Sequence, residues 1–427
     1  MIEYLNILIF PILITLIFKS YFLEKIFVSK LKFKLTSIEN LNLNLLIILN
    51  LILFFSLFDL KVSFVNYFLI FLIFLNLIPF FLSKKNLYIL LELKNLLLLF
   101  IILSLVIIVN PDLGWDGKFH WYKRALNFFQ EMGLQNLSNL PKYEYPHFGS
   151  YLWAIFWKFS FVKYEYFGRL FYLYLYLLSI FSILDLLKNT QLKTILFFFI
   201  AIVCFNKNHF LGNQDIIIFS LNLFLARYLY FIFELKIKSF QNYFFIFLIC
   251  NILFWIKYET IVYISVVYVL IIFFNLIKKN YDSIYFISIS FILIIFLKLI
   301  TNYIYDISHN ASFQFSGAYD FSELFSLKVF FYKIFFLIKY YLISLFKNPI
   351  MLITFLSILF IYLKKIKCSV ENLIIYFLFN LSSFGVFYII QNEFSWHVIN
   401  GIDRYILQFS SFSIIYFIIS IDNITKK

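Results

Sequence analysis

Long, continuous apolar stretches separated by short polar segments make up most of this 427-residue chain. Many of them approach the roughly 20 residues that a helix needs to cross a bilayer. A lipid-exposed chain must satisfy its own backbone hydrogen bonds, so only helices or a closed barrel are options, and the lack of residue-by-residue alternation excludes a barrel. The pattern therefore predicts an all-α protein that crosses a membrane many times.

The same pattern predicts about thirteen membrane-spanning helices. Their predicted ranges are 2–18, 41–58, 64–82, 87–109, 167–187, 194–206, 213–233, 240–257, 259–277, 283–303, 344–363, 370–390 and 403–421. A further apolar stretch, 325–341, carries Lys328, Lys333 and Lys339, which is an awkward load for a buried span. We interpret it as a helix lying in the outer membrane interface, with a membrane span as the alternative.

Composition supports the membrane interpretation. Hydrophobic residues make up 63% of the chain and charged residues 14%, whereas a soluble globular protein has about 45–50% apolar residues. The net charge of +14 does not indicate nucleic-acid binding, because most lysines lie between apolar stretches, as the positive-inside rule expects. Abundant Phe and Tyr with scarce Ala, Gly and Pro indicate AT-rich codon usage and a bacterial source. The three separated cysteines indicate neither a disulfide framework nor a metal cluster.

The lysine clusters between apolar stretches also predict the orientation. If the predicted spans are counted along the chain, all of these clusters fall on the same side of the membrane, which the positive-inside rule identifies as the cytoplasmic side. In a bacterial plasma membrane, the N-terminus is then outside and the C-terminus is in the cytoplasm. The first stretch lacks a basic start and a small-residue cleavage site, so we expect a retained helix rather than a signal peptide. Residues 110–166 then form a large outer loop, and residues 304–343 form a second one that contains the interfacial helix.

Within the first outer loop, residues 116–133 have helical periodicity. One face is apolar, and its members are Trp121, Ala125, Phe128, Phe129 and Met132. Another face is polar, and its members are Asp116, His120, Lys123 and Asn127. We expect such a helix to rest its aromatic side on the membrane interface and to present acid, imidazole and amine groups. In the alternative interpretation, Asp116 is a helix N-cap and the polar residues form a solvated face.

The far end of this loop enters a segment rich in aromatic residues. Its members include Tyr151, Trp153, Phe156 and Trp157. The interpretation favoured for the tryptophans is an aromatic belt at the membrane–water interface.

The two ends of the loop resemble a known family. The string Trp115-Asp-Gly-Lys-Phe-His-Trp-Tyr-Lys-Arg-Ala, followed by Tyr145-Pro-His-Phe-Gly-Ser-Tyr-Leu-Trp-Ala, resembles the first outer loop of GT-C-fold glycosyltransferases. It is most similar to the bacterial branch related to protein mannosyltransferases and aminoarabinose transferases. In that branch a Trp-Asp or Tyr-Asp, a Tyr-His and a Lys/Arg-Ala helix precede a Tyr-Pro-Pro entry to the next helix.

Three shorter fragments follow in the family's order. They are Leu211-Gly-Asn-Gln-Asp215, Trp255-Ile-Lys-Tyr-Glu259 and Asp403-Arg-Tyr405. The first resembles a Gly-Tyr-x-Asp that opens a later span, the second a Lys-x-Glu-Gly hairpin, and the third an Arg-Tyr that opens the last span.

The chain also departs from the family pattern. About four spans precede the loop instead of one, His147 replaces the second proline, and Thr260 follows Glu259 where glycine is common. The resemblance therefore implies a GT-C-like catalytic module over 87–427, a bundle with an outer loop that carries interfacial helices. Residues 1–86 are left as extra N-terminal membrane helices.

The resemblance implies a reaction as well as a fold. A sugar would pass from a polyprenyl-phosphate-linked donor to a lipid, glycan or protein acceptor at the outer face of the membrane. Asp116 would be the catalytic base, a role that suits a carboxylate at the water–membrane edge, with Asp112 as the fallback. Lys257 and Arg404 would bind the donor phosphate, whose negative charge grows as the glycosidic bond breaks. The residues predicted to bind substrate are His120, Lys123, Arg124, Tyr145, His147, Asp215 and Glu259. No cofactor is implied, with a divalent cation as an open alternative.

Simpler roles stay open for several of these residues. Lys257 would pair with Glu259, Arg404 would pair with Asp403 or anchor at the interface, and His120 would be an ordinary interface residue. Other function classes are an outer-face polysaccharide polymerase or ligase, a flippase or transporter of a lipid-linked sugar, and a structural subunit. A polymerase or ligase usually has its large loop late in the chain, and a transporter should carry charges along an intramembrane path and at both faces.

Overall fold

The computed structural model describes residues 2–19, 23, 25–26, 35–82, 92–140, 145–160, 164–237, 239–305, 326–366, 369–389 and 394–425. Every regular element in these ranges is a helix. All thirteen predicted spans fall on a helix, as does the stretch predicted to lie in the interface. The beginning of the predicted span 87–109 and most of the predicted loop 304–343 lie outside the described residues.

The helices of the first half of the chain include the outer loop. They are α1 Ile2–Phe18, α2 Ser37–Leu57, α3 Val62–Leu82, α4 Lys94–Val109, a π-helical segment Gly117–Trp121, α5 Tyr122–Phe129, a 3₁₀ turn Leu134–Asn139, α6 Phe148–Phe159, α7 Tyr166–Leu184, α8 Thr190–Val203 and a 3₁₀ turn Lys207–Phe210. Local capping explains some of these bounds. Thr36 and Glu39 form a reciprocal capping box at the start of α2.

The remaining helices are longer on average. They are α9 Asp215–Phe233, α10 Phe240–Phe254, α11 Thr260–Ile277, α12 Tyr281–Ile304, α13 Leu327–Lys347, α14 Pro349–Leu363, α15 Val370–Ile389 and α16 Phe394–Thr425. The last of these begins well before the predicted range 403–421, so Asp403, Arg404 and Tyr405 lie inside a helix instead of opening one.

Many of these helices suit a membrane. Among the described residues, eight helices are long and apolar enough to cross one: α2, α3, α7, α9, α11, α12, α13 and α16. Shorter apolar helical stretches of 10–17 residues lie in six further helices: α1, α4, α8, α10, α14 and, as Leu373–Ser382, α15. This composition is consistent with a multi-pass membrane protein, and the count of about thirteen crossings stays a prediction.

Helix α13 differs from the stretch predicted at 325–341. It continues to Lys347, and the next helix starts only at Pro349. The break follows from local chemistry, because Asn348 caps the backbone N–H of Ile350 and proline fits the first position of a helix. Lys333 is buried and donates from Nζ to the Tyr388 carbonyl at 2.8 Å. By length and composition α13 qualifies as a span, so the preferred interfacial placement stays a prediction.

The chain forms two compact units. The first comprises Met1–Pro141, Pro146–Ser220 and Leu248–Ile256, and the second comprises Lys142–Tyr145, Leu221–Phe247 and Lys257–Lys427. Residues 1–86 therefore belong to the same unit as most of the outer loop. The family boundary at residue 87 stays a prediction.

Helix α7 is the centre of the first unit and is buried along its whole length. Its apolar residues all round the helix explain this position. From α1, Phe10 contacts the rings of Phe100, Phe156 and Phe167. From α2, the side-chain amide of Asn42 donates to Ser182 Oγ at 2.6 Å. The N-terminal helices are thus part of the core that supports the outer loop.

Helix α16 has the corresponding role in the second unit. Its residues 406–420 are nearly all buried, and it packs against α13, α14 and α15. A core cluster joins these helices through Leu337, Met351, Phe387, Val398 and Ile402.

Candidate active site

Asp116 lies in a helical turn that is followed by the π-helical segment Gly117–Trp121. Its backbone angles, φ −59° and ψ −42°, are already helical, and its side chain makes no capping bond to the segment. The N-cap interpretation is therefore wrong. The residue is half-buried. Single π-helical turns are rare and frequently occur at functional sites.

The apolar face of this helix packs against protein and not against the membrane interface. Phe129 stacks on Trp157 with ring centroids 4.0 Å apart, and Phe128 meets Tyr151 edge-on at 5.1 Å. The predicted resting of the aromatic side on the membrane is wrong, as is the aromatic belt, because Trp153 and Trp157 are buried. Met132 is exposed and lies beyond the end of α5.

The polar face is only partly as predicted. Lys123 is exposed, with Nζ 5.6 Å from the centre of the Phe119 ring. The ring of His120 lies edge-on to Trp115 at 5.3 Å. Asn127 is buried and donates to the carbonyls of Met132 and Gly133, so it closes the end of α5 and is not part of the polar row.

The Asp116 segment contacts the Leu211–Asp215 fragment through backbone atoms. The N–H of Gly114 donates to the Leu211 carbonyl at 2.9 Å. A methyl group on Gly117 would overlap that carbonyl oxygen and lie 3.2 Å from the Cα of Gly212. Gly212 itself has φ +91°, a conformation that favours glycine. Two glycines thus allow two loops to touch where Asp116 lies.

The Tyr145–Ala154 string at the far end of the loop also contacts the Leu211–Asp215 fragment. Gly149, in the first turn of α6, lies so close to Gln214 that a methyl group there would overlap the amide oxygen. The next residue, Asp215, is 2% exposed and occupies the first turn of α9. A helix N-terminus stabilises a carboxylate, which offsets part of the cost of burying Asp215.

A buried arginine, Arg169, bridges both loops. Its Nη2 donates to the Pro111 carbonyl at 2.6 Å, and its Nη1 donates to the carbonyls of Asp112 at 3.2 Å and Phe210 at 2.8 Å. The other donors meet Glu165, with Nη2 to Oε1 at 2.5 Å and Nε to Oε2 at 3.1 Å. The guanidinium therefore ties the starts of the 111–117 and 210–215 segments to α7.

Burial raises the pKa of Glu165 above its ordinary value, although the Arg169 guanidinium and a hydrogen bond with Trp153 act in the opposite direction. Removing the carboxyl group from water disfavours its charged form. Because the folded-state pKa is raised, the stability that this group contributes is fully present below its unfolded pKa and is lost as pH rises through the folded value.

Two residues predicted to bind substrate are packed inside the unit. His147 is 2% exposed, with Nε2 3.0 Å from Ser56 Oγ and its ring 5.6 Å from Trp255. Arg124 is 1% exposed, and its Nη1 donates to the Pro146 carbonyl at 3.4 Å. Both hold the loop together in this conformation, and their substrate contacts stay predictions.

The turn between α2 and α3 holds the far half of the loop. Asp59 accepts a hydrogen bond from the Leu134 N–H at 2.6 Å. Burial raises the pKa of Asp59 above its ordinary value, and the Leu134 hydrogen bond opposes this. Glu131 accepts from Ser63 Oγ at 2.6 Å and pairs with Lys158. The extra N-terminal helices therefore have a structural role in positioning the loop.

The second unit contains the other predicted site residues. Lys257 is buried, and its Nζ lies 3.3 Å from Glu259 Oε1, so the simple pairing that was left open is present. The ring of Tyr145 contacts Tyr258 at 5.3 Å, and the buried Lys298 has its Nζ 5.7 Å from the centre of that same Tyr258 ring. A lysine that was not predicted thus lies near the Lys-Tyr-Glu hairpin.

Arg404 is half-buried within α16. Its neighbour Asp403 accepts a hydrogen bond from Ser344, a residue of α13. The predicted roles of Lys257 and Arg404 at a donor phosphate stay predictions. Within the described residues, His, Cys, Asp and Glu side chains form no group of three or more that suits a metal ion.

The structure brings together, in the first unit, the segments of Asp116, Gly149 and Asp215, which are far apart in sequence. Sequence reasoning missed Arg169, Glu165 and Asp59. A signal for the first two was available: the chain has only four arginines, and Arg169 follows an acidic residue by four positions at the start of an apolar helix, a spacing that allows pairing. Asp59 gave no such signal, because an aspartate in a turn is common.

Comparison with known proteins adds no family to this picture. No protein-family model, no curated protein and no solved structure matches the chain.

Proposed function

We propose that this protein is a membrane glycosyltransferase that moves a sugar from a polyprenyl-phosphate-linked donor to a lipid, glycan or protein acceptor at the outer face of a bacterial plasma membrane. The observation that carries the proposal is the contact between the Asp116 segment and the Leu211–Asp215 segment. These two fragments resemble the same family, lie almost 100 positions apart, and meet through Gly117 and Gly212.

The chemistry proposed for these residues is acid–base and electrostatic. Asp116 takes the proton from the acceptor hydroxyl as the new glycosidic bond forms. Lys257 and Arg404 keep the role that the resemblance gives them, which is to bind the phosphate that leaves with increasing negative charge. His120, in the π-helical segment after Asp116, and Lys123, in α5, are assigned to the sugar or its acceptor.

The test is transfer of a labelled sugar. Purified protein in liposomes is supplied with radiolabelled polyprenyl-phosphate sugars and with membrane extract as the acceptor source. Transfer by the wild type is expected, and Asp116→Asn should lower it at least 100-fold, since general base catalysis contributes about 10²–10⁴-fold. Asp112→Asn makes the same change four residues earlier, at the exposed fallback residue. Transfer should persist in that variant, and loss of transfer there with activity kept in Asp116→Asn would make Asp112 the base.

Two results would reject the proposal. Asp116→Asn with wild-type activity and an unchanged thermal midpoint removes the assigned base. Movement of intact labelled lipid between leaflets, with no loss of its sugar, supports the transporter alternative instead.

A further inference from the structure

We infer that Arg169 is a positioning residue: its guanidinium fixes the segment that carries Asp116 against the segment that carries Asp215. The side chain is 0% exposed, so water does not compete for its donors. It bonds the carbonyls of Pro111 and Asp112 on one segment and the carbonyl of Phe210 on the other. One planar group therefore sets the separation of two loops.

Short connections carry this constraint to Asp116. Three residues lie between Asp112, whose carbonyl is bonded, and Asp116, and one of them, Gly114, donates its N–H to the Leu211 carbonyl at 2.9 Å. The Lys118 N–H then bonds back to the Gly114 carbonyl at 2.8 Å. The backbone on both sides of Asp116 is thus anchored, either to the partner segment or to itself.

The geometry requires a guanidinium and not merely a positive charge. The five N–H donors of arginine spread in one plane and here serve three carbonyls and both oxygens of Glu165. A lysine has three donors on a single nitrogen, so it cannot reach all of these separated acceptor oxygens at once. Glu165 in turn holds the guanidinium plane from the preceding turn of the chain.

This inference rests on the proposed function for its catalytic consequence, but its structural part is measurable without activity. Hydrogen–deuterium exchange is recorded for full-length protein in nanodiscs, with wild type, Arg169→Lys and Arg169→Ala compared at peptides covering 111–121 and 210–216. Arg227→Lys is the matched control, since Arg227 is also a buried helical arginine. We expect at least tenfold faster exchange in both peptides for the two Arg169 variants. Added guanidinium ion should return the exchange rate of Arg169→Ala to the slow wild-type value, and methylammonium should not.

Activity is measured on the same samples. Loss of positioning should lower kcat by roughly 100-fold, since misplacement of a catalytic group by about 1 Å has that effect, while KM for the donor lipid changes by less than threefold. Guanidinium should restore kcat in Arg169→Ala.

Three outcomes overturn the inference: unchanged exchange in both peptides, faster exchange spread equally over the whole chain, or a higher KM with wild-type kcat. If the wild type transfers no sugar, the proposed function falls, and the exchange data alone decide whether Arg169 positions these segments.

Discussion

Replacing Gly117 by alanine tests the central contact of the site. The added methyl group would overlap the Leu211 carbonyl oxygen and approach Gly212 Cα to 3.2 Å. Both neighbours are backbone atoms, which cannot rotate away as a side chain would. Overpacking of this kind lowers the free energy of unfolding by about 1–3 kcal/mol. We take a value of about 2.5 kcal/mol for Gly117→Ala because the overlap is severe. Alanine recovers about 0.5–1 kcal/mol through its better helix propensity, which leaves a net loss of about 2 kcal/mol.

The loss is measured as a shift of the thermal midpoint in nanodiscs. For a unit of this size, each kcal/mol corresponds to about 2–4 °C, so Gly117→Ala should lower the midpoint by about 4–8 °C. Gly385→Ala is the matched control, because no described atom lies within 4 Å of the added methyl group. That variant should melt at or slightly above the wild-type temperature. Equal midpoints for Gly117→Ala and wild type would show that the two glycine backbones are not in contact.

Three further predictions concern the first unit. Phe10→Ala should lower the free energy of unfolding by about 3 kcal/mol, because it opens a cavity in the core beside α7. Leu8→Ala, at a residue 49% exposed, should change the thermal midpoint little. Equal effects of the two substitutions would mean that α1 is not part of the core. The pKa of Asp59 is raised by burial, so the stability it contributes is present at acidic pH and lost as pH rises through the folded value. The thermal midpoint of the wild type should therefore gain more than that of Asp59→Asn between pH 7 and pH 4, and parallel pH profiles would contradict this. For orientation, Ser138→Cys in intact cells should react with an impermeant thiol reagent and Thr190→Cys only after permeabilisation, with the reverse pattern placing the loop in the cytoplasm.

The apolar pattern determined the helices because each span depends mainly on its own residues. A long apolar stretch forms a helix whichever neighbours it meets, since backbone hydrogen bonds are satisfied within the segment. All thirteen predicted spans therefore fall on helices. Boundaries failed where a local signal was overlooked, as at Asn348-Pro349, which starts α14 five residues later than predicted.

The sequence also predicted which segments contribute to the candidate site. The fragments around Asp116, Gly149 and Asp215 resemble one family, and the structure places their segments together. Periodicity alone could not say what the aromatic face of α5 contacts. A membrane interface and a neighbouring helix offer similar apolar surroundings, and only the position of α6 decided between them.

Tertiary structure alone decided what holds the outer loop. Asp59 reaches Leu134 across 75 positions, and Arg169 reaches Pro111 and Phe210 on opposite sides of it in the sequence. Such bonds go to backbone carbonyls, which every residue has, and to backbone N–H groups, which every residue except proline has, so no side-chain pattern in the partner segment predicts them. The candidate catalytic and binding residues could be predicted from the sequence, whereas the residues that position them could be identified only from the tertiary structure.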